Sequence, residues 1–75
     1  MIKVVISLKG RDKQCLLALI KDEGNFVYVA DGNKRKIENP KLKNKKHIKD
    51  TGVTLEESWI NTNRSLRKAL RAVNL

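Results

Sequence analysis

The chain has 75 residues, with 17 Lys or Arg against eight Asp or Glu, and its formal net charge is +9. This length allows one small domain, which buries only about 60 % of the surface that its unfolded form exposes. Apolar residues make up 40 % of the sequence and form no run near the roughly 20 residues of a membrane span, so we expect a small binding module and no large-pocket enzyme.

Three segments in the first part of the chain predict β-strands. Residues 2–8 alternate, with Ile2, Val4, Ile6 and Leu8 on one face, which is typical of a half-buried strand. Residues 15–20 (CLLALI) form a short apolar run between turn-forming residues, and this predicts a buried strand. A turn at 21–25 then leads into 26–30 (FVYVA), which is a strand by composition.

The next segment predicts a hairpin. Asp31-Gly32 favours a tight turn, because both central residues of such a turn adopt positive φ. The return strand would be 34–38 and would end before Pro40, which has no N–H to donate to a ladder. With a short last strand at 47–48, the sequence predicts a small closed or partly open antiparallel barrel.

The C-terminal part predicts helix. Thr54 and Glu57 have the spacing of a capping box, and an apolar stripe follows at helical spacing. We expect one kinked helix or two short ones, the second over about 64–73. Trp59 lies on the stripe and would pack the helix onto the barrel, or would dock a protein partner. The stripe consists of Leu55, Trp59, Thr62, Leu66, Leu70 and Val73.

The positive charge is concentrated in two places. Residues 34–49 hold eight Lys or Arg and one acid, Glu38, whereas the rest of the chain is nearly balanced. A local positive field attracts a polyanion, although a lysine-rich run alone can also be a solvated flexible loop. A second cluster, Arg64, Arg67, Lys68 and Arg71, would lie on one face of the second helix.

Residues that could bind a metal or catalyse a reaction are scarce. Cys15 is the single cysteine, which agrees with a reducing compartment, and no signal peptide is evident at the N-terminus. His47 is the single histidine, so neither a His/Cys metal site nor a Ser-His-Asp set is expected. We therefore expect a cytoplasmic protein that is not an enzyme and has no cofactor, small-molecule substrate or membrane contact.

Two aromatic side chains share a strand face. Phe26 and Tyr28 lie on one face of the predicted third strand, and Val27 and Val29 lie on the other. Aromatic rings on a sheet can stack nucleic-acid bases, but in a domain this small they more often fill the core.

Four short motifs carry a family resemblance, in the order KGRDK (9–13), NFVYVADG (25–32), RKIENPK (35–41) and KKHI (45–48). The chain resembles the KOW-type large-subunit ribosomal protein family called fourteen-e, and in particular the short bacterial KOW-domain RNA-binding proteins of that group. The family usually has a glycine shortly after Arg-Asp-Lys, where this chain has Gln14. The resemblance implies an SH3-like barrel that binds RNA, above all ribosomal RNA, in association with the ribosome.

Together these features divide the chain into a KOW barrel at 1–50, with its basic loop at 34–49, and a helical extension at 51–75. The residues expected to contact RNA phosphates are Arg11, Lys13, Lys34, Arg35, Lys36, Lys41, Lys43, Lys45, Lys46, Arg64, Arg67, Lys68 and Arg71. The alternative function is a protein-docking adaptor for ribosomal, translation or transcription proteins, in which the C-terminal helix buries Trp59 and Leu66 against the partner.

Overall fold

A computed structural model of the protein describes residues 1–10 and 15–73, and within these it contains five strands and one α-helix. The five strands form one antiparallel sheet in the order β4-β3-β2-β1-β5. The predicted fold class, mainly β with a C-terminal helical part, is confirmed. The elements are β1 (Ile2–Ser7), β2 (Leu16–Asp22), β3 (Phe26–Ala30), β4 (Lys41–Asn44), β5 (Ile48–Leu55) and α1 (Asn63–Ala72), with 3₁₀ helices at Lys45–His47 and Glu57–Ile60.

The curved sheet buries apolar residues on both faces, because adjacent residues of a strand point to opposite sides. One cluster, on the inner face of the barrel, contains Val5, Leu17, Val27 and Val29. The other cluster lies on the outer face, where α1 packs onto the sheet. It contains Val4, Ala18, Ala30, Leu55, Ile60, Leu66 and Leu70.

The second predicted helix is confirmed, but its start signal is not the predicted one. Thr54 lies in β5 opposite Lys3, so the predicted capping box at Thr54 is wrong. The box that forms is at Thr62, whose Oγ1 accepts from the N–H of Ser65 (3.1 Å) while the N–H of Thr62 donates to Ser65 Oγ (3.1 Å). The cross-strand pairing of Thr54 therefore outweighs its local capping pattern.

Trp59 does not pack the helix onto the barrel. It lies in the 3₁₀ helix before α1 and is 56 % exposed, so this prediction is wrong. A new helix, α1, begins after the Thr62 cap. The helical spacing that would have turned Trp59 toward the sheet is interrupted there. Leu66 and Leu70 on α1, with Ile60 before it, make the contact with the sheet instead.

The predicted return strand at 34–38 is also wrong. Residues 31–40 form a ten-residue loop, and the strand that pairs with β3 is β4, which begins immediately after Pro40. Ile37, the apolar anchor expected of that strand, packs instead against the cluster beneath α1. The proline therefore precedes the fourth strand rather than ending it.

The last strand is longer than predicted. β5 begins at Ile48 and continues to Leu55, and it pairs with β1 along its length. The sequence-based division at residue 50 falls inside this strand. Among the described residues, no helix has the length and apolar character needed to cross a membrane.

Candidate nucleic-acid interface

The loop at 31–40 is shaped by Asp31. Its carboxylate accepts hydrogen bonds from the backbone N–H groups of Asn33 (2.8 Å) and Arg35 (3.0 Å). In return, the carbonyl of Arg35 accepts from the N–H groups of Asp31 and Gly32. An aspartate that bonds its own following backbone in this way fixes a turn. The loop therefore has a defined shape around Lys34 and Arg35.

Gly32 lets this turn lie against the helix. Its φ is +79°, and a Cβ at this position would overlap the backbone carbonyl of Asn63 and lie 3.2 Å from Cγ of Arg67. Only glycine combines this backbone conformation with so close an approach. The contact places the loop directly beside the first turn of α1.

Asn63, the first residue of α1, fastens the far part of the loop. Its Oδ1 accepts from the backbone N–H of Ile37 (2.8 Å), and its Nδ2 donates to both carboxylate oxygens of Glu38 (2.9 and 3.1 Å). The hydrogen bond from Asn63 is the main cause that lowers the pKa of Glu38. One side chain thus joins a loop and a helix that are about 25 residues apart in sequence.

This junction brings the two predicted basic clusters together. We call them the loop–helix surface, and all seven side chains are exposed. Among residues 1–10 and 15–73, no carboxylate lies within 4 Å of these seven cations. The loop–helix surface consists of Lys34, Arg35, Lys36, Arg64, Arg67, Lys68 and Arg71.

The lysines of β4 and the following 3₁₀ helix lie elsewhere, and they are not a mobile loop. Lys43 is 8 % exposed, and its ammonium donates to Ser7 Oγ (2.5 Å) and to the carbonyl of Lys9 (3.0 Å). These bonds join β4 to the end of β1, although β2 and β3 lie between them in the sheet. Lys43 therefore helps to close the barrel.

The remaining lysines of this segment differ from one another. Lys41 is half-buried at the start of β4. Lys45 Nζ lies 2.8 Å from Asp22 Oδ2, and this hydrogen bond is the main cause that lowers the pKa of Asp22. Lys46 is exposed with no acidic partner among the described residues. His47 is half-buried in the 3₁₀ helix that precedes β5, so it does not belong to the last strand that was expected to begin at residue 47.

The aromatic residues of β3 share one face of the strand, as their alternation predicts, and this is the outer face of the sheet. Phe26 is 46 % exposed and Tyr28 is half-buried, whereas Val27 and Val29 are fully buried. The more common role of such residues, filling the core, therefore does not apply to Phe26. The predicted contacts of Arg11 and Lys13 lie outside the described residues.

Sequence reasoning missed the two residues that assemble the loop–helix surface. Asn63 could be recognised only as a helix-cap type in the run Asn61-Thr62-Asn63, and its long-range bonds have no local sequence pattern. The sequence identifies Gly32 only as a turn residue, whereas in the structure its positive φ and missing Cβ also allow the contact with the helix. Comparison with protein-family models and with curated proteins gives no match for this chain.

Proposed function

We propose that the protein binds structured RNA, above all ribosomal RNA, mainly through phosphate contacts, as a cytoplasmic ribosome-associated protein. The observation that carries the proposal is the loop–helix surface, where Asn63 and Gly32 hold two clusters of cations side by side. No carboxylate among the described residues pairs with these cations, so their positive potential is available to a polyanion, and arginine can bind two phosphate oxygens at once. The KOW resemblance supports RNA over other polyanions.

The surface favours recognition by shape and charge. The bases of an A-form helix are hard to reach because its major groove is deep and narrow, so contacts to phosphates and sugars dominate there. The loop–helix surface consists of exposed Lys and Arg side chains, which are the side chains that neutralise phosphates.

A matched pair of triple variants tests the proposal. Replacing Lys34, Arg35 and Lys36 with Gln should weaken binding to a ribosomal RNA fragment roughly 30- to 100-fold, because three phosphate contacts are lost. The control variant replaces Lys3, Lys9 and Lys49 with Gln, which removes the same amount of charge from exposed positions elsewhere. It should change the affinity less than about 3-fold. Equal losses in both variants, or a preference for duplex DNA over RNA, would contradict the proposal.

A second candidate function is a protein-docking adaptor, and the exposure of Trp59 favours it. Trp59 lines an apolar groove of about 370 Å³ together with Leu55, Ala69 and Val73. Leu66, the other residue expected to meet a partner, is fully buried and cannot do so. Crosslinking in cells, followed by sequencing of attached RNA, separates the two functions, since an adaptor would recover no specific RNA.

A further inference from the structure

Part of the outer face of the sheet is not covered by α1. The helix packs over Ala30 at the end of β3, but the same face continues to Tyr28 and Phe26 at the start of the strand. Tyr28 is half-buried there and Phe26 is 46 % exposed. An aromatic ring left this exposed in so small a protein is a candidate contact surface.

The residues around the two rings are polar and basic at one end. Phe26 lies opposite Asn44 in the register with β4, and a shallow groove of about 440 Å³ beside it is lined by Asn25, Asn44, Lys45 and Lys46. No side-chain hydrogen bond to Asn25 forms among the described residues, so its amide can bind a ligand. An aromatic face beside the Asn25 amide and the Lys46 ammonium matches the chemistry of a nucleotide.

The surroundings of Tyr28 are more apolar. Its cross-strand neighbour, Leu42, is 52 % exposed, and a second groove of about 270 Å³ runs past Pro40 and Lys21. Glu23 also lines this groove, and its carboxylate lies 3.1 Å from the Lys21 ammonium. The Glu23 carboxylate is therefore paired with Lys21 and does not present an unpaired negative charge to the Tyr28 ring.

The spacing between the Phe26 and Tyr28 rings favours a single strand over a duplex. Residues two apart on one strand face are separated by about 6.6 Å along the strand. Neighbouring bases in a stacked helix rise only about 3.4 Å, so a duplex cannot place adjacent bases on both rings. A single strand with its bases unstacked from each other can do so.

Charge distinguishes this occupant from a protein partner. Lys46 is exposed and has no acidic partner among the described residues, whereas the neighbouring Lys45 is paired with Asp22. The loop–helix surface begins beyond the opposite end of β3. A strand that follows β3 would thus have cations at both ends of its path. This arrangement complements a phosphate backbone, whereas an apolar peptide would gain nothing from it.

We propose that the outer face of β3 binds two adjacent unpaired nucleotides of RNA, one base stacked on Phe26 and the next on Tyr28. Lys46 neutralises the phosphate beside the first base, and the Asn25 amide bonds an edge of that base. This proposal rests on the proposed RNA-binding function and adds an unpaired segment to the RNA that is recognised.

Two probes and two substitutions at one position test the proposal. The probes are a single-stranded oligouridine RNA of about ten nucleotides and a blunt RNA duplex, and affinity for each is measured by fluorescence anisotropy. Phe26→Leu keeps an apolar side chain but removes the aromatic face, and it should weaken binding of the single strand roughly 5- to 150-fold. Phe26→Tyr keeps the ring and should bind nearly as tightly as the natural protein, while both variants bind the duplex unchanged.

The outcomes separate this proposal from the function on which it rests. If the natural protein binds the duplex but Phe26→Leu binds the oligouridine equally well, the stacking site is overturned and RNA binding stands. If the natural protein binds neither RNA at low salt, both are overturned. A protein ligand that depends on Phe26 while both RNAs bind unchanged would also overturn the stacking site.

Discussion

The cationic run from Lys34 to Lys46 divides into two regions with different structures. Lys34, Arg35 and Lys36 lie on a loop that is fastened to α1, and they extend into solvent with no acidic partner among the described residues. Seven residues after Lys36, Lys43 is buried inside the barrel, and Lys45 is paired with Asp22. One continuous basic sequence therefore supplies both a binding surface and a part of the scaffold.

The difference shows that charge density along a sequence does not measure the charge that a ligand meets. Strand alternation turns Lys43 to the inner face, opposite Val27, so its ammonium must find partners within the barrel. The loop cations stay exposed because residues 31–40 form no strand pairing. The loop is held instead by backbone hydrogen bonds and by the Asn63 side chain. The predictions below separate the scaffold contribution from the surface contribution.

The largest expected effect is at the contact between loop and helix. Gly32→Ala should lower the free energy of unfolding by about 3 kcal/mol, because an added Cβ meets the Asn63 carbonyl at a positive φ. Gly24→Ala is the matched control, since Gly24 also has positive φ but open space around it, and it should cost about 1 kcal/mol. Urea denaturation measures both, and equal losses would show that the contact with Asn63 has no energetic role.

Lys43 should behave as a scaffold residue. Lys43→Ala removes the hydrogen bonds to Ser7 and Lys9 and should lower the free energy of unfolding by about 2 kcal/mol. Lys46→Ala, at an exposed position nearby, should lower it by less than about 0.5 kcal/mol. The reverse order in urea denaturation would show that Lys43 belongs to the surface and not to the barrel.

The first three strands were predictable because their patterns are local. β1, β2 and β3 have alternating or continuous β-branched and apolar residues, and their observed bounds lie within about two residues of the predicted ones. β4 has a single apolar residue, Leu42, which points outward while a lysine points inward. A hydrophobic pattern cannot reveal such a strand, and the Asp31-Gly32 turn therefore suggested the wrong return segment.

The candidate site was predictable in composition but not in assembly. The loop triplet and the cations of α1 were identified from charge and helical spacing. Their meeting depends on Asn63 and Gly32, whose contacts reach about 25 and 31 residues along the chain. Long-range contacts of this kind leave no periodic trace in a single sequence.

A smaller effect is expected at the Asn63 side chain. Asn63→Ala removes the bonds to Ile37 and Glu38 and should lower the free energy of unfolding by about 1 kcal/mol. It should also weaken RNA binding several-fold, because the loop cations lose their fixed position. Asn61→Ala changes the same residue type at an exposed position and should leave both properties unchanged. Unaltered RNA affinity in Asn63→Ala would contradict the role of the junction.

The smallest effect is expected from pH. Asp22 and Glu38 have pKa values lowered in the folded chain from their ordinary 3.8 and 4.5, by hydrogen bonds from Lys45 and Asn63. A carboxyl group with a lowered pKa stabilises the fold above its ordinary value and loses that contribution as pH falls through the lowered value. The urea midpoint should therefore decrease slightly below about pH 4, and less so in Asn63→Ala. A midpoint that rises on acidification would contradict this.

The salt dependence of RNA affinity tests the central claim most directly, because its slope counts the phosphates that the protein neutralises. For the natural protein, the plot of log affinity against log salt should have a slope of about −4 to −6, since five to eight cations contact phosphates. Replacing Lys34, Arg35 and Lys36 with Gln should bring the slope about 2 to 3 units closer to zero. A slope near zero for the natural protein, or an unchanged slope in the triple variant, would contradict a loop–helix surface that binds RNA.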